Sequence, residues 1–166
     1  MRLTAQIICD IIKAGMALDS DQIWIYNQRR AIPEDKRLYI TVSVLTLKPY
    51  ANNNRPVATL TGMNDSTSQY IQETLQVDLM SYTMEALERY SEVMASLVST
   101  YSQQQQATYA LKIASVPTMI NDVSAVEGAT MLNRIALTLP VLRKYDNIMA
   151  ATYYDTFNDP VIAKTE

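Results

Sequence analysis

The strongest pattern in the chain is a change of hydrophobic period within "SQYIQETLQVDLMSYTMEALERYSEVMASLVSTY", Ser68 to Tyr101. The first half alternates. Ile71, Leu75, Val77 and Leu79 share one face, with Glu73 as the exception; Tyr70, Gln72, Thr74, Gln76 and Asp78 share the other. A period of two predicts a strand with one buried and one polar face. The second half repeats every three to four residues, at Leu87, Tyr90, Met94, Leu97, Val98 and Tyr101, which predicts a helix. Ser81 or Thr83 ends the strand and caps that helix, and Glu85 and Glu88 suit its positive N-terminal end.

A second strand is read from "RLYITVSVLTLKPY", where Leu38, Ile40, Val42 and Val44 point one way and Tyr39, Thr41 and Ser43 the other. Paired antiparallel with the first, it offers the helix an apolar sheet face. Near the N-terminus, Ile7, Ile8, Ile11, Ile12 and Leu18 form a helical stripe with Thr4 as its cap. "QIWIYNQ" reads as a short strand or irregular segment. "SQQQQATYALKI" continues the main helix or restarts as a second short one, and Pro117 stops it; the glutamines read as a solvated surface. "TMINDVSAVEGAT" is an edge strand with a turn at Gly128. "MLNRIALTLPVLRKYD" alternates through Met131, Ile135, Leu137, Leu139 and Val141. Pro140, which cannot donate to a ladder, places that part at an edge or bulge. "NIMAATYYDTF" is a further strand candidate.

Between the two long strands, "PYANNNRPVATLTGMNDSTS" holds two prolines, three consecutive asparagines and a glycine. It predicts a protruding loop over 50–68, or an extended hairpin tip with a short strand at Val57–Thr61. The tail 158–166 reads as loose. The expected fold is one α+β domain over 1–166, mainly antiparallel sheet packed against one long helix and an N-terminal helix. A chain of 166 residues can bury such a core without staples.

Composition narrows the chemistry. A single cysteine, Cys9, excludes an internal disulfide framework and a cysteine-based zinc site. The chain has no histidine, the commonest general base near neutral pH. Three glycines leave no glycine-rich phosphate loop. Glu85, Glu88 and Glu92 line one helix and read as a solvated acidic face, with a carboxylate pair as the alternative. Cys9 lies in the apolar stripe and reads as a buried structural thiol. A formal charge of −3 argues against tight nucleic-acid binding. The first fifteen residues lack an unbroken apolar core, and no apolar run approaches a membrane span, so a soluble intracellular product is expected. Eleven tyrosines, against one Phe and one Trp, suit half-buried sheet faces and subunit contacts.

The order of elements resembles the tail terminator (neck terminator) family of tailed bacteriophages. The resemblance rests on "IWIYNQRRAIPEDKRLYITV" linking the first helix to the first long strand. "VDLMSYTMEALERYSEVMASL" carries a strand into the main helix, and "NRIALTLPVLRKYD" supplies the late strand. It covers roughly residues 3–157 through loose motifs; the Asn-rich stretch Tyr50–Ser68 departs from the family pattern. The resemblance implies a structural virion protein without catalytic residues, metal or cofactor. It implies a ring of six copies that ends tail-tube polymerisation and joins the tail to head completion proteins. Its partners would be further copies, the major tail tube protein and a head completion or connector protein. Genomic DNA would pass through the lumen without specific binding, and no membrane would be involved. The protein would be assembled in the host cytoplasm and reside in the tail or neck of the virion. Subunit-contact candidates are Arg29, Arg30, Tyr50, Asn53, Arg55, Tyr153 and Tyr154. Alternatives are another neck or head–tail connector component, an interaction or chaperone-like module, and a small carboxylate-based enzyme.

Overall fold

A computed structural model describes residues 2–26, 32–33, 35–59, 62–114, 117–127 and 130–150. Among them the elements are α1 (Thr4–Met16), β1 (Ile23–Ile25), β2 (Tyr39–Thr59), β3 (Gly62–Ser81), α2 (Glu85–Val98) and α3 (Thr100–Thr108). The chain continues through β4 (Leu111–Ile113), β5 (Met119–Asp122), β6 (Ala125–Glu127) and β7 (Thr130–Ala150). The strands form one mixed sheet in the order β1-β2-β3-β7-β4, with β5 and β6 also pairing along β7. Only β1–β2 is parallel among these pairs, so the mainly antiparallel expectation describes most of the sheet.

Apolar rows running across the three long strands make the core. Ile40 pairs with Leu79 and Leu79 with Ile135; Val42 pairs with Val77 and Val77 with Leu137. Cross-strand partners share a face, and all six residues are buried in one cluster with Ile7, Ile8, Ile11 and Ile12 of α1. The helices therefore cover one face of the sheet. The polar alternation of the other face does not leave it open throughout. Trp24, Tyr39, Thr41 and Asp78 are buried there. Asp78 is ion-paired with Arg134 at 3.1 Å and accepts from Gln76. The Tyr39 hydroxyl donates to Asp35 at 2.7 Å.

The one long helix of the expected fold is divided: it stops at Val98 and restarts as the short α3, the second of the two readings of this segment. Ser99 breaks the run with extended backbone (φ −63°, ψ 160°), and its hydroxyl accepts from the Ser102 N–H as the N-cap of α3. Helix α3 ends at Thr108, well before Pro117, because Ala110 takes a left-handed turn (φ 49°) into β4. The glutamines are not all solvated: Gln106 accepts from the Ile113 N–H at 2.9 Å and holds β4 in place.

The buried stripe of α2 is also rotated from the expected one. Ala86, Val93, Ser96 and Leu97 are buried, Leu87 and Tyr90 pack partly, and Val98 and Tyr101 are exposed. The cause is α1, which lies beside α2 and draws its small residues inward. A Cβ on Gly15 would collide with the Ser96 side chain. Thr4 is likewise not a cap. Leu3 occupies the N-cap without a side-chain bond, and the Thr4 hydroxyl accepts from Arg143 instead.

Pro140 lies in a strand flanked on both sides, opposite Thr74 of β3. Its carbonyl accepts from Ala114, and the Thr138 carbonyl accepts from Thr118. The groups at 138 and 140 therefore point to the β4–β5 side, and the imino nitrogen falls at the step between those two short strands. A missing donor costs no ladder bond there.

The Gly15 contact and the left-handed Ala17 (φ 52°) at the end of α1 give two stability predictions. Gly15→Ala should lower stability by about 1–3 kcal/mol in urea unfolding, despite alanine's better helix propensity. Adding Ser96→Gly should recover part of that loss; strict additivity would show that the two positions do not touch. Ala17→Gly should raise stability by about 1 kcal/mol, since glycine has no Cβ penalty at a left-handed C-cap.

Candidate interaction surface

Beyond the core the three long strands continue as an arm. The segment 50–68, expected as a loop or a hairpin tip, is the paired hairpin of β2 and β3, and β7 pairs along β3 as far as Ala150. From Thr46 to Thr59 the arm reaches about 45 Å at the usual strand rise. Every residue from Val44 to Val57 is exposed. On β7 the same holds from Asp146 to Met149.

Local chemistry holds the arm together without a core. Ser68 donates to Asp146 at 2.6 Å, and Lys144 pairs with Asp146 at 2.9 Å. Thr67 donates to Asn54 at 3.4 Å. The rings of Tyr50 and Tyr70 are 6.0 Å apart. The register shifts at Val44/Thr46 and Pro49/Ala51, where the helix cover ends; Tyr50 sits in the second bulge. Open cavities flank Tyr50: one of about 510 Å³ lined by Pro49, Ala51, Asn52, Gln69 and Ile71, the other of about 330 Å³ lined by Tyr70, Lys112, Leu142 and Lys144.

The register also shows which backbone groups are free. Ile40 and Val42 bond to the β1 side, so their partners Leu79 and Val77 bond to β7. Alternating onward through both bulges, the outward positions of β2 include Leu47, Pro49, Asn52, Asn54 and Pro56. Both prolines therefore lie with their nitrogens on the free edge. They cost no internal bond and blunt the edge against strand addition.

A buried network fastens the base of the arm. Arg143 is 4% exposed; its guanidinium donates to the Thr4 hydroxyl at 2.7 Å and to the Arg2 carbonyl at 2.9 Å. It also lies over the Tyr145 ring at 4.8 Å. Tyr145 in turn donates to the buried Glu73 carboxylate at 2.6 Å, which accounts for the polar intruder on an apolar strand face. Burial, and then this hydrogen bond, raise the Tyr145 phenol above its ordinary pKa. The network joins the N-terminus of α1 to β3 and β7 where the apolar core stops.

Among the described residues nothing comparable gathers around a reactive group. Cys9 is buried, and desolvation pushes its thiol up to about 12, far from nucleophilic use. Arg89 sits between Glu85 and Glu92 at 2.8 Å from each; its hydrogen bond holds Glu92 below the ordinary carboxylate range, and Glu88 is left exposed. No group of three or more metal-ligating side chains occurs among the described residues, and no helix among them is long and apolar enough to cross a membrane.

Of the contact candidates, Tyr50, Asn53 and Arg55 lie on the arm, and Asn53 and Arg55 share the face that carries Tyr70. Arg29, Arg30, Tyr153 and Tyr154 lie outside the described residues. Sequence reasoning missed the exposed apolar side chains: Leu45, Leu47 and Val57 on β2, Ile148 and Met149 on β7, and Met119, Ile120 and Val126 on the short edge strands. The available signal was the run "VLTL", in which both strand faces become apolar. No protein-family model and no curated protein sequence matches the chain.

Removing the outer arm tests whether it belongs to the core. Replacing residues 52–69 by Asn-Gly joins Ala51 to Tyr70, which are already register partners, through a two-residue turn. The variant should unfold cooperatively, with a Tm within ~4 °C of the parent, the size of a 1 kcal/mol change in such a chain. Loss of cooperative unfolding would show that the arm supports the core.

Proposed function

We propose that the protein is a structural subunit of a tailed-bacteriophage neck, acting as the tail terminator. Copies form a ring, six by the resemblance, that ends polymerisation of the tail tube and presents a docking surface to a head completion protein. The observation that carries this reading is the arm: a long three-stranded sheet with both faces uncovered, built on a small core. Such an extension exposes backbone edges and apolar side chains that an isolated domain has no use for, whereas an assembling subunit does. The absence of a histidine supports a mechanical rather than a catalytic role.

The electrostatics are compatible with a DNA conduit. A protein that grips duplex DNA clusters Lys and Arg against phosphates. Here Lys144 pairs with Asp146 and Arg134 with Asp78 on the helix-free sheet face. Among the described residues Lys48 and Arg55 on the same face are unpaired but stand well apart along β2 rather than in a cluster, so a lumen lined in this way would let DNA slide past without a strong sequence-independent hold.

Disrupting the gene in the phage that encodes it tests the assignment. Lysates should contain filled heads and unjoined tails whose tubes are irregular in length and overlong. Tails of normal length that merely fail to join would mark a connector instead. Normal infectious particles would overturn the neck assignment altogether.

A further inference from the structure

The sheet has two unlike edges, and they are complementary. One is the free edge of β2. It exposes Leu45, Leu47 and Val57, with Leu47 63% exposed. Over residues 39–59 it carries Lys48 and Arg55 and no Asp or Glu. Both cations are exposed, and neither is hydrogen-bonded or ion-paired among the described residues. The other is the ribbon of β5 and β6, on the far side of β7. It exposes Met119, Ile120, Val123 and Val126, with Val126 75% exposed. Residues 119–127 carry Asp122 and Glu127 and no Lys or Arg. Asp122 is exposed and accepts from Ser124, which lowers its pKa by hydrogen bonding without supplying a countercharge.

We infer that the β2 edge of one copy docks on the β5–β6 ribbon of the next. The inference rests on the self-assembling role proposed above and names the two surfaces that would perform it. Both patches place apolar side chains beside charge, and the charges are opposite in sign. The β2 edge cannot serve a second β2 edge as well, since like charges would face each other. A ribbon–ribbon contact would bring acids together for the same reason. Contact between opposite edges of one sheet is heterologous, so it repeats from copy to copy and closes when the rotation per step divides a full turn. Pro49 and Pro56 on the outward positions of β2 make the contact one of side chains along the arm rather than an extended shared ladder. Apolar packing then supplies affinity, and Lys48 facing Asp122, with Arg55 farther along the same edge, sets direction and register.

Two exposed apolar positions give the test, since neither contributes to the core. Leu47→Asp breaks the β2 edge; Val126→Asp breaks the ribbon. Circular dichroism and thermal unfolding should match the wild type for both. By sedimentation velocity and native mass spectrometry, wild-type protein should associate beyond the dimer as concentration rises to the millimolar range. Each variant alone should stay monomeric, its association weakened by about 30-fold or more. An equimolar mixture should give dimers and nothing larger, because one intact β2 edge meets one intact ribbon and the outer edges are both broken. Lys48→Glu and Asp122→Lys should each weaken assembly, and combining them in one chain should restore it.

A wild type that stays monomeric throughout overturns the inference. So does assembly of the single variants like the wild type, or a mixture that remains monomeric. These outcomes are separable from the fate of the neck assignment. Wild-type rings indifferent to all four substitutions would discard these surfaces and leave that assignment standing. The expected dimers, together with normal particles after gene disruption, would keep the surfaces and discard the assignment.

Discussion

The shared register of three long strands is the constraint on which the rest of the molecule depends. It is specified at one end, where Ile40, Leu79 and Ile135, then Val42, Val77 and Leu137, lie in rows beneath the helices. A slip of any one strand by one residue would turn that strand's core side chains away from α1 and α2. The arm has no such rows. Its residues mix Asn, Ser, Thr and Gln with exposed apolar side chains in no regular alternation, and they would tolerate several pairings on their own. They are held in one pairing because the same strands have already been registered below. The network of Arg143, Tyr145, Glu73 and Thr4 marks the crossing point, where polar contacts take over from apolar ones.

This division accounts for what was legible in the sequence. Alternation in "RLYITVSV", "TLQVDL" and "IALTLPV" identifies the core halves of β2, β3 and β7 and their inward residues, because one face there is buried. The isoleucine stripe of α1 is readable for the same reason. The outer halves carry no period, since neither face is buried and nothing selects for alternation. Two prolines and three asparagines then leave a loop and a hairpin tip both open, and the partner strands decide for the sheet. The turn of α2 about its axis was hidden as well. It follows from the close approach of Gly15 to Ser96, a pair far apart in sequence. The break at Ser99 had a local signal, a serine at an N-cap, but one within an otherwise helical composition.

The projecting arm was legible in part. Tyr50, Asn53 and Arg55 do lie on the arm, for the simple reason that the projecting segment was recognised as projecting. That the apolar side chains beside them, such as Leu47, are exposed was not read. Exposure of a leucine depends on what covers it, and cover ends where the helices end. The short edge strands β5 and β6 were visible as a strand edge, but not as a patch opposite in sign to the β2 edge. That relation appears only when the sheet order places them on its two sides.

Imaging the assembled protein bears most directly on the role of the arm. Cryo-electron microscopy of the neck, or of self-assembled protein, should show a closed ring in which each arm lies against a neighbouring copy, with the β2 side toward that neighbour's short-strand ribbon. Copies joined through α1, α2 and α3, with the arms free in solvent, would contradict the assignment of the arm as the assembling element.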